Sequence, residues 1–181
     1  WVIHKRLHHP IFQMLDQDGL TWGVAPRFTT RFDVAGLRND LVVGARYFAG
    51  TNDALQYVNT RGSRGAQTAN GVQRAQNYAA YAENRLWVLP DLALVAGAKA
   101  LRDERDYENR LTGQRYSSTY DGLNPKLGLL WQPRPEVQVF GNVTRSQDVP
   151  DFSDQLQQVN NQPVWVPMQA QRAWTVELGT R

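Results

Sequence analysis

The stretch KLGLLWQPRPEVQVFGNVTRS, Lys126 to Ser146, reads as two extended runs joined by a tight, proline-flanked turn. One alternate set is apolar: Leu127, Leu129 and Trp131, then Val137, Val139 and Val143. The intervening set is mixed: Lys126, Gly128 and Leu130, then Gln138, Phe140, Asn142 and Thr144. A period of two is the signature of a strand with unlike faces. Such a sheet suits a soluble sandwich, and equally a barrel wall in a membrane.

The whole chain of 181 residues is long enough for one domain with a real core. It starts at Trp1 with no initiator Met or signal peptide and stops in mid-pattern at ELGTR, so a piece of a longer protein is expected. The absence of Cys excludes disulfide frameworks and thiolate metal sites. A formal charge of +3 is too small to argue for nucleic acid. No apolar run approaches the roughly 20 residues of a membrane helix. That excludes helical spanning only, because barrel strands alternate apolar and polar residues.

Alternation recurs along the chain. In WGVAPRFTTRFDV, Trp22, Val24, Phe28, Thr30, Phe32 and Val34 share one face, while Arg27, Arg31 and Asp33 share the other. Pro26 implies a bulge or a local break. Leu41, Val43, Ala45 and Tyr47 continue the apolar face; Tyr81, Glu83 and Arg85 continue the polar one. Leu92, Leu94, Ala96 and Ala98 oppose Val95, Gly97 and Lys99, and Trp174, Val176 and Leu178 oppose Glu177 and Gly179. With an extended segment at the start, this predicts about eight strands, longer than is usual in soluble sheets.

Connection lengths alternate as well. Residues 35–39, 89–91 and 132–136 are short, whereas 51–71, 106–122 and 149–171 are long and polar. A first reversal around DQDG, 16–19, is short where a long one is due. Short turns at one end and long loops at the other is the layout of outer-membrane barrels. Trp22, Tyr47 and Trp174 near the long-loop ends, with Phe32 and Trp131 near the short-turn ends, fit two aromatic girdles. Trp87 falls on the inner face by parity, beside Arg85.

Other patterns have plainer readings. His4 and His8 share a strand face but stand roughly 13 Å apart at about 3.3 Å per residue, so HKRLHHP reads as rim polarity and no metal site is assigned. NTRGSRGAQTANG reads as a surface loop rather than a nucleic-acid segment. LRDERDYENR reads as a solvated strand end with local ion pairs. No nucleophile elbow, phosphate loop or zinc signature is present, and no Ser–His–acid arrangement can be proposed.

Three segments in order carry a resemblance. NYAAYAENRLWVLPDLALVAGAK (77–99) resembles the TonB-dependent receptor hairpin in which an aromatic-small-acidic strand turns into an L-x-L-x-A-G-x-R/K strand. LNPKLGLLWQPRPEVQVFGNVTRSQDVPDF (123–152) resembles the next hairpin, and MQAQRAWTVELGTR (168–181) the ELG strand after it, with Gln171 where the family often has Glu. Together they cover roughly residues 77–181. HHPIFQMLDQD (8–18) is similar, more loosely, to the ferric-siderophore receptor subgroup.

The resemblance implies an all-β, antiparallel transmembrane barrel of 22 strands filled by a plug domain, with residues 1–181 forming part of the barrel domain. It implies a Gram-negative outer-membrane receptor that binds a ferric siderophore or related chelate and imports it with energy from the TonB complex. TonB would act through a plug region that this chain does not include. It implies no enzyme, no cofactor and no nucleic-acid partner, with outer-membrane lipid as the surrounding partner. Loop residues that could meet an anionic or aromatic chelate are Tyr57, Arg61, Arg64, Arg102, Arg105, Tyr107, Arg110, Arg115 and Tyr116. Residues expected to face the lumen and plug are Arg27, Arg31, Glu83, Arg85, Lys99, Lys126, Gln138, Asn142 and Glu177. A passive porin and a soluble β-sandwich binding module remain the alternatives. In the barrel, Leu127, Leu129, Trp131, Val137, Val139 and Val143 face lipid, and a charge at Val139 costs about 2–4 kcal/mol if that residue sits at mid-bilayer.

Overall fold

A computed structural model describes residues 2–8, 13–160 and 162–181. Its main body is one antiparallel sheet whose strands follow chain order. These are β1 (Val2–His8), β2 (Gln13–Val24), β3 (Arg27–Val34), β4 (Leu37–Thr60), β5 (Ser63–Leu89), β6 (Leu92–Asn109), β7 (Gln114–Arg134), β8 (Val137–Asp148) and β11 (Gln171–Thr180). Between β8 and β11 lie a single helical turn, α1 (Phe152–Gln155), and a small hairpin of β9 (Leu156–Val159) and β10 (Gln162–Trp165). No helix among the described residues is long and apolar enough to cross a membrane.

β2 and β3 act as one strand. Val24 opposes Tyr47 and Arg27 opposes Gly44, so the register along β4 is unchanged across the gap. Pro26 makes a local break: it lacks the N–H for the ladder, yet its carbonyl still accepts from the Ala45 N–H at 3.1 Å. Counting β2 and β3 together, eight strands lie side by side, as the alternation predicts.

The short turns fall where expected. Val34 pairs with Leu37, Leu89 with Leu92 and Arg134 with Val137. Ala35 and Gly36 both have positive φ, the geometry of a two-residue hairpin whose twist matches its strands.

Two expectations about the other end are corrected. Residues 16–19 make no reversal; they lie within β2, paired with β1 on one side and β4 on the other. Asp16 ion-pairs with Arg64, and Asp18 lies 2.6 Å from the His4 ring, so cross-strand partners satisfy acids that otherwise favour a turn. Likewise, most of 51–71 and 106–122 is strand rather than loop. β4 and β5 run 24 and 27 residues and turn only at Arg61 and Gly62. Their polar composition suits strands standing in water, held by pairs such as Asn52 to Gln73 at 2.9 Å. Trp22 and Tyr47 therefore sit partway along their strands, 5.2 Å apart, rather than at the ends.

Cross-strand partners point to the same side of a sheet. Leu41 opposes Asn84, Ala96 opposes Leu127, Leu127 opposes Val143, and Val143 opposes Val176. One mainly apolar face, interrupted by the Asn84–Asn39 pair, thus runs from β3 to β11. Leu127 is 66% exposed, Val176 71% and Leu178 83%, because no described element packs on them. A sandwich would cover this face with a second sheet; here it is bare, as a lipid-facing wall would be. On β7 the outward run from Leu123 to Trp131 spans roughly 26 Å at about 3.3 Å per residue, comparable to the apolar band of a membrane barrel.

Candidate functional site

The opposite face carries the polar groups. All nine residues expected on one face (Arg27, Arg31, Glu83, Arg85, Lys99, Lys126, Gln138, Asn142 and Glu177) share it by register. Lys126 Nζ donates to Glu83 at 2.8 Å across the intervening Gly97 of β6. A Cβ at Gly97 would stand 2.9 Å from the Ala82 carbonyl and 3.2 Å from Glu83 Cβ, so the bare backbone leaves the lysine its path. Asn142 donates to its cross-strand partner Glu177 at 3.0 Å, and Arg31 to Asp40 at 2.8 Å. Asp40 also accepts from Trp87 Nε1 at 2.8 Å, and the Arg38 guanidinium lies 4.2 Å from that indole centre. Asp40 and Arg38 thus hold Trp87 on this face, as its parity indicates. They are members of the network that alternation alone does not single out.

The nine residues assigned to the loops divide between the two sides. Arg102, Arg110 and Arg115 lie on the same side as the apolar belt, above it, and acids on that side meet their charges. Arg102 bonds Glu104 at 2.9 Å, Arg110 lies 3.2 Å from Asp53, and Arg115 lies 2.8 Å from Glu108. The Arg115 hydrogen bond holds the Glu108 carboxyl below the usual range. Arg64, paired with Asp16, has its guanidinium 5.5 Å from the Tyr57 ring on that side too. Arg61 occupies the hairpin tip, with φ of 52°. Only Arg105, Tyr107 and Tyr116 lie on the polar side, and Arg105 and Tyr107 are buried there.

What buries them is the segment between β8 and β11, which folds back over the polar face. Trp165 of β10 lies nearly parallel to Tyr116 and Tyr107, with ring centres 5.7 and 6.3 Å away. Tyr107 and Tyr116 are themselves 6.4 Å apart, and burial pushes the Tyr107 phenol up from its ordinary value. Tyr120 donates to the Met168 carbonyl at 3.1 Å and lies 3.3 Å from Gln155 Oε1. Gln155 is fully buried and donates to the Pro150 carbonyl at 3.3 Å. Beneath this roof is a cleft of about 290 Å³ lined by β2, β4, β5, Tyr107 and the roof residues Phe152 and Leu156. Trp165, Gln155 and Tyr120 escape a reading of the sequence because the roof's docking is a contact between distant segments. Tyr120 alone had a usable signal, since it continues the alternation of Tyr116 on β7.

The roof begins with a capped turn. Asp151 accepts from the Ser153 and Asp154 N–H groups at 2.6 and 3.1 Å, and Asp154 accepts from the Asp151 N–H at 3.0 Å. The Ser153 hydrogen bond leads in holding the Asp151 carboxyl below the usual range. A depressed folded-state pKa means the cap is intact above the ordinary carboxylate range and is lost as pH falls through the depressed value. Asp151→Ala should therefore destabilise the turn by about 1 kcal/mol at neutral pH, read as faster amide exchange at residues 152–156. The variant and the native protein should converge in acid, and equal exchange at neutral pH would show that the cap does not hold the roof.

Among the described residues no cluster of three or more His, Asp or Glu could hold a metal ion. His9 lies outside the described residues, and of His8 only the backbone is described.

The family model for the β-barrel of TonB-dependent receptor-like proteins matches residues 8–181. No curated protein sequence matches the chain. Among solved structures, the unliganded ferric citrate transporter FecA is similar, with a TM-score of 0.81 at 17% identity, over 99% of this chain and 28% of that one. The siderophore receptor PiuA from Acinetobacter baumannii has a TM-score of 0.71 at 16% identity, over 99% and 30%. The alcaligin outer-membrane receptor FauA from Bordetella pertussis has 0.69 at 15% identity, over 93% and 27%. The chain thus spans less than a third of the length of the receptors it matches.

Proposed function

The chain belongs to the TonB-dependent receptor β-barrel family, whose members are outer-membrane receptors and transporters rather than enzymes; on that premise we propose that it forms part of the wall of a receptor importing a ferric siderophore or related chelate. All of residues 1–181 belong to the barrel domain in this reading. The apolar face meets lipid in a Gram-negative outer membrane, and the polar face lines the lumen against a plug carried elsewhere in the protein. The TonB complex supplies the energy through that plug. One observation carries the reading: the sheet is bare and apolar on one face, while a folded segment roofs the polar face at the long-hairpin end. Ligand enters from that end, and transport is binding followed by gated passage.

Ligand contacts then concentrate on Arg105, Tyr107 and Tyr116, while Arg64, Arg102, Arg110 and Arg115 brace the hairpins from outside. In the complete receptor, Arg105→Ala should weaken chelate uptake under iron limitation about tenfold or more, the scale of one lost charged hydrogen bond. Arg110→Ala should leave uptake within about twofold, because Arg110 faces Asp53 on the far side. Equal effects of the two would remove the assignment. Uptake that persists without TonB would favour a passive pore instead.

A further inference from the structure

Resting on that reading, we propose that the roofed cleft on the polar face seats an uncharged, amide-bearing arm of the iron chelate, such as the secondary-amide arm of a hydroxamate chelate, rather than an anionic group. Four glutamines line it: Gln13 and Gln17 from β2, Gln56 from β4 and Gln73 from β5. Among the described residues, no Asp, Glu, Lys, Arg or His lines it. The cations on the neighbouring strands do not reach in. Arg64 turns to Asp16, Arg74 lies 3.7 Å from Glu108, and Arg105 donates to the Glu104 carbonyl at 2.9 Å.

The amides are already set in place. Gln56, only 5% exposed, donates to Gln13 Oε1, and Gln73 Oε1 accepts from Asn52. Each amide offers donors and an acceptor, which matches a secondary amide in a chelate arm, whose N–H donates and whose carbonyl accepts. An anion entering this lining would shed hydration and meet no counter-charge, which is costly. The hollow exists because Ala54, Ala69 and Gly71 form its floor. At Gly71 a Cβ would stand 2.7 Å from Tyr107 Cε2, so a bare backbone is what lets that ring lie there. Phe152 and Leu156 close the top with apolar surface. A volume of about 290 Å³ is at the low end for small-molecule sites, so it encloses one arm and leaves the iron centre outside.

The test is equilibrium binding to the complete receptor in detergent, using three probes: a neutral ferric trihydroxamate, a ferric tris-catecholate and ferric citrate. The trihydroxamate should bind at least about tenfold more tightly than either anionic chelate. Ala69→Trp, which fills the cleft, should weaken it at least about tenfold, and Ala54→Leu gives the same readout if the larger residue prevents folding. Gln73→Leu, which removes an amide donor and acceptor from the lining, should weaken the trihydroxamate about fivefold, the scale of one lost neutral hydrogen bond. An anionic chelate bound as tightly, indifference to cleft filling, or full affinity retained in Gln73→Leu would each overturn the proposal while leaving the receptor reading intact. Failure of all three chelates to bind would overturn that reading as well.

Discussion

Leu127→Arg in the complete barrel should cost about 2–4 kcal/mol of stability in a lipid bilayer. Leu127 is 66% exposed on the apolar face, between Ala96 and Val143 on the neighbouring strands. Two outward positions, Leu123 and Pro125, lie on one side of it along β7, and Leu129 and Trp131 on the other. That places it at the middle of the belt, where a guanidinium has neither water nor a counter-ion. The condition attached to Val139, a mid-bilayer position, is not met. Val139 pairs with Trp131, whose indole donates to Asp91 in the short turn at 3.0 Å, so it stands near the interface. There the cost of an arginine falls to about 0–1 kcal/mol. Asn142→Arg, on the polar face beside Glu177, should be mild. Urea unfolding of the barrel in vesicles ranks the three. If Leu127→Arg cost no more than Asn142→Arg, the apolar face would not be meeting lipid.

Parity explains why so much of the wall is legible in sequence. A side-chain period of two fixes the face of every residue once the strand is continuous, and a single slip would turn the whole strand over. Lys126 and Glu83 can be put on one face from alternation alone, although their contact needs Gly97 between them. The same rule, continued past Ala100 and through 106–122, places Arg102, Arg110 and Arg115 opposite the cleft. Asn, Asp, Gly and Ser in 106–122 suggest loop instead, and cross-strand ion pairs are invisible in a one-dimensional pattern. The roof is less legible still. Its helix has one turn and its hairpin strands have four residues each, so no periodicity accumulates. Its position depends on Trp165 and Gln155 finding Tyr107, Tyr116 and Tyr120 on strands far away in sequence.

Trp165→Ala should therefore reach the function without touching the wall. The indole makes two near-parallel contacts, at 5.7 Å with Tyr116 and 6.3 Å with Tyr107. Aromatic pairs contribute about 0.5–1.5 kcal/mol each beyond the area they bury, so both together hold the roof by roughly 1–3 kcal/mol. If a closed roof is the binding-competent state, removing that hold lowers chelate affinity by the same free energy, about five- to 150-fold. Trp165→Phe should recover part of the loss, because a smaller ring can still stack. Barrel stability in vesicles should be unchanged, since Trp165 belongs to β10, outside the wall's ladder. Chelate titration of the complete receptor reads the affinity, and limited proteolysis within residues 149–170 reads the roof. Faster proteolysis with unchanged affinity would separate the roof from binding. Unchanged proteolysis would mean that the capping turn and the Tyr120–Gln155 contact hold the segment without the stack.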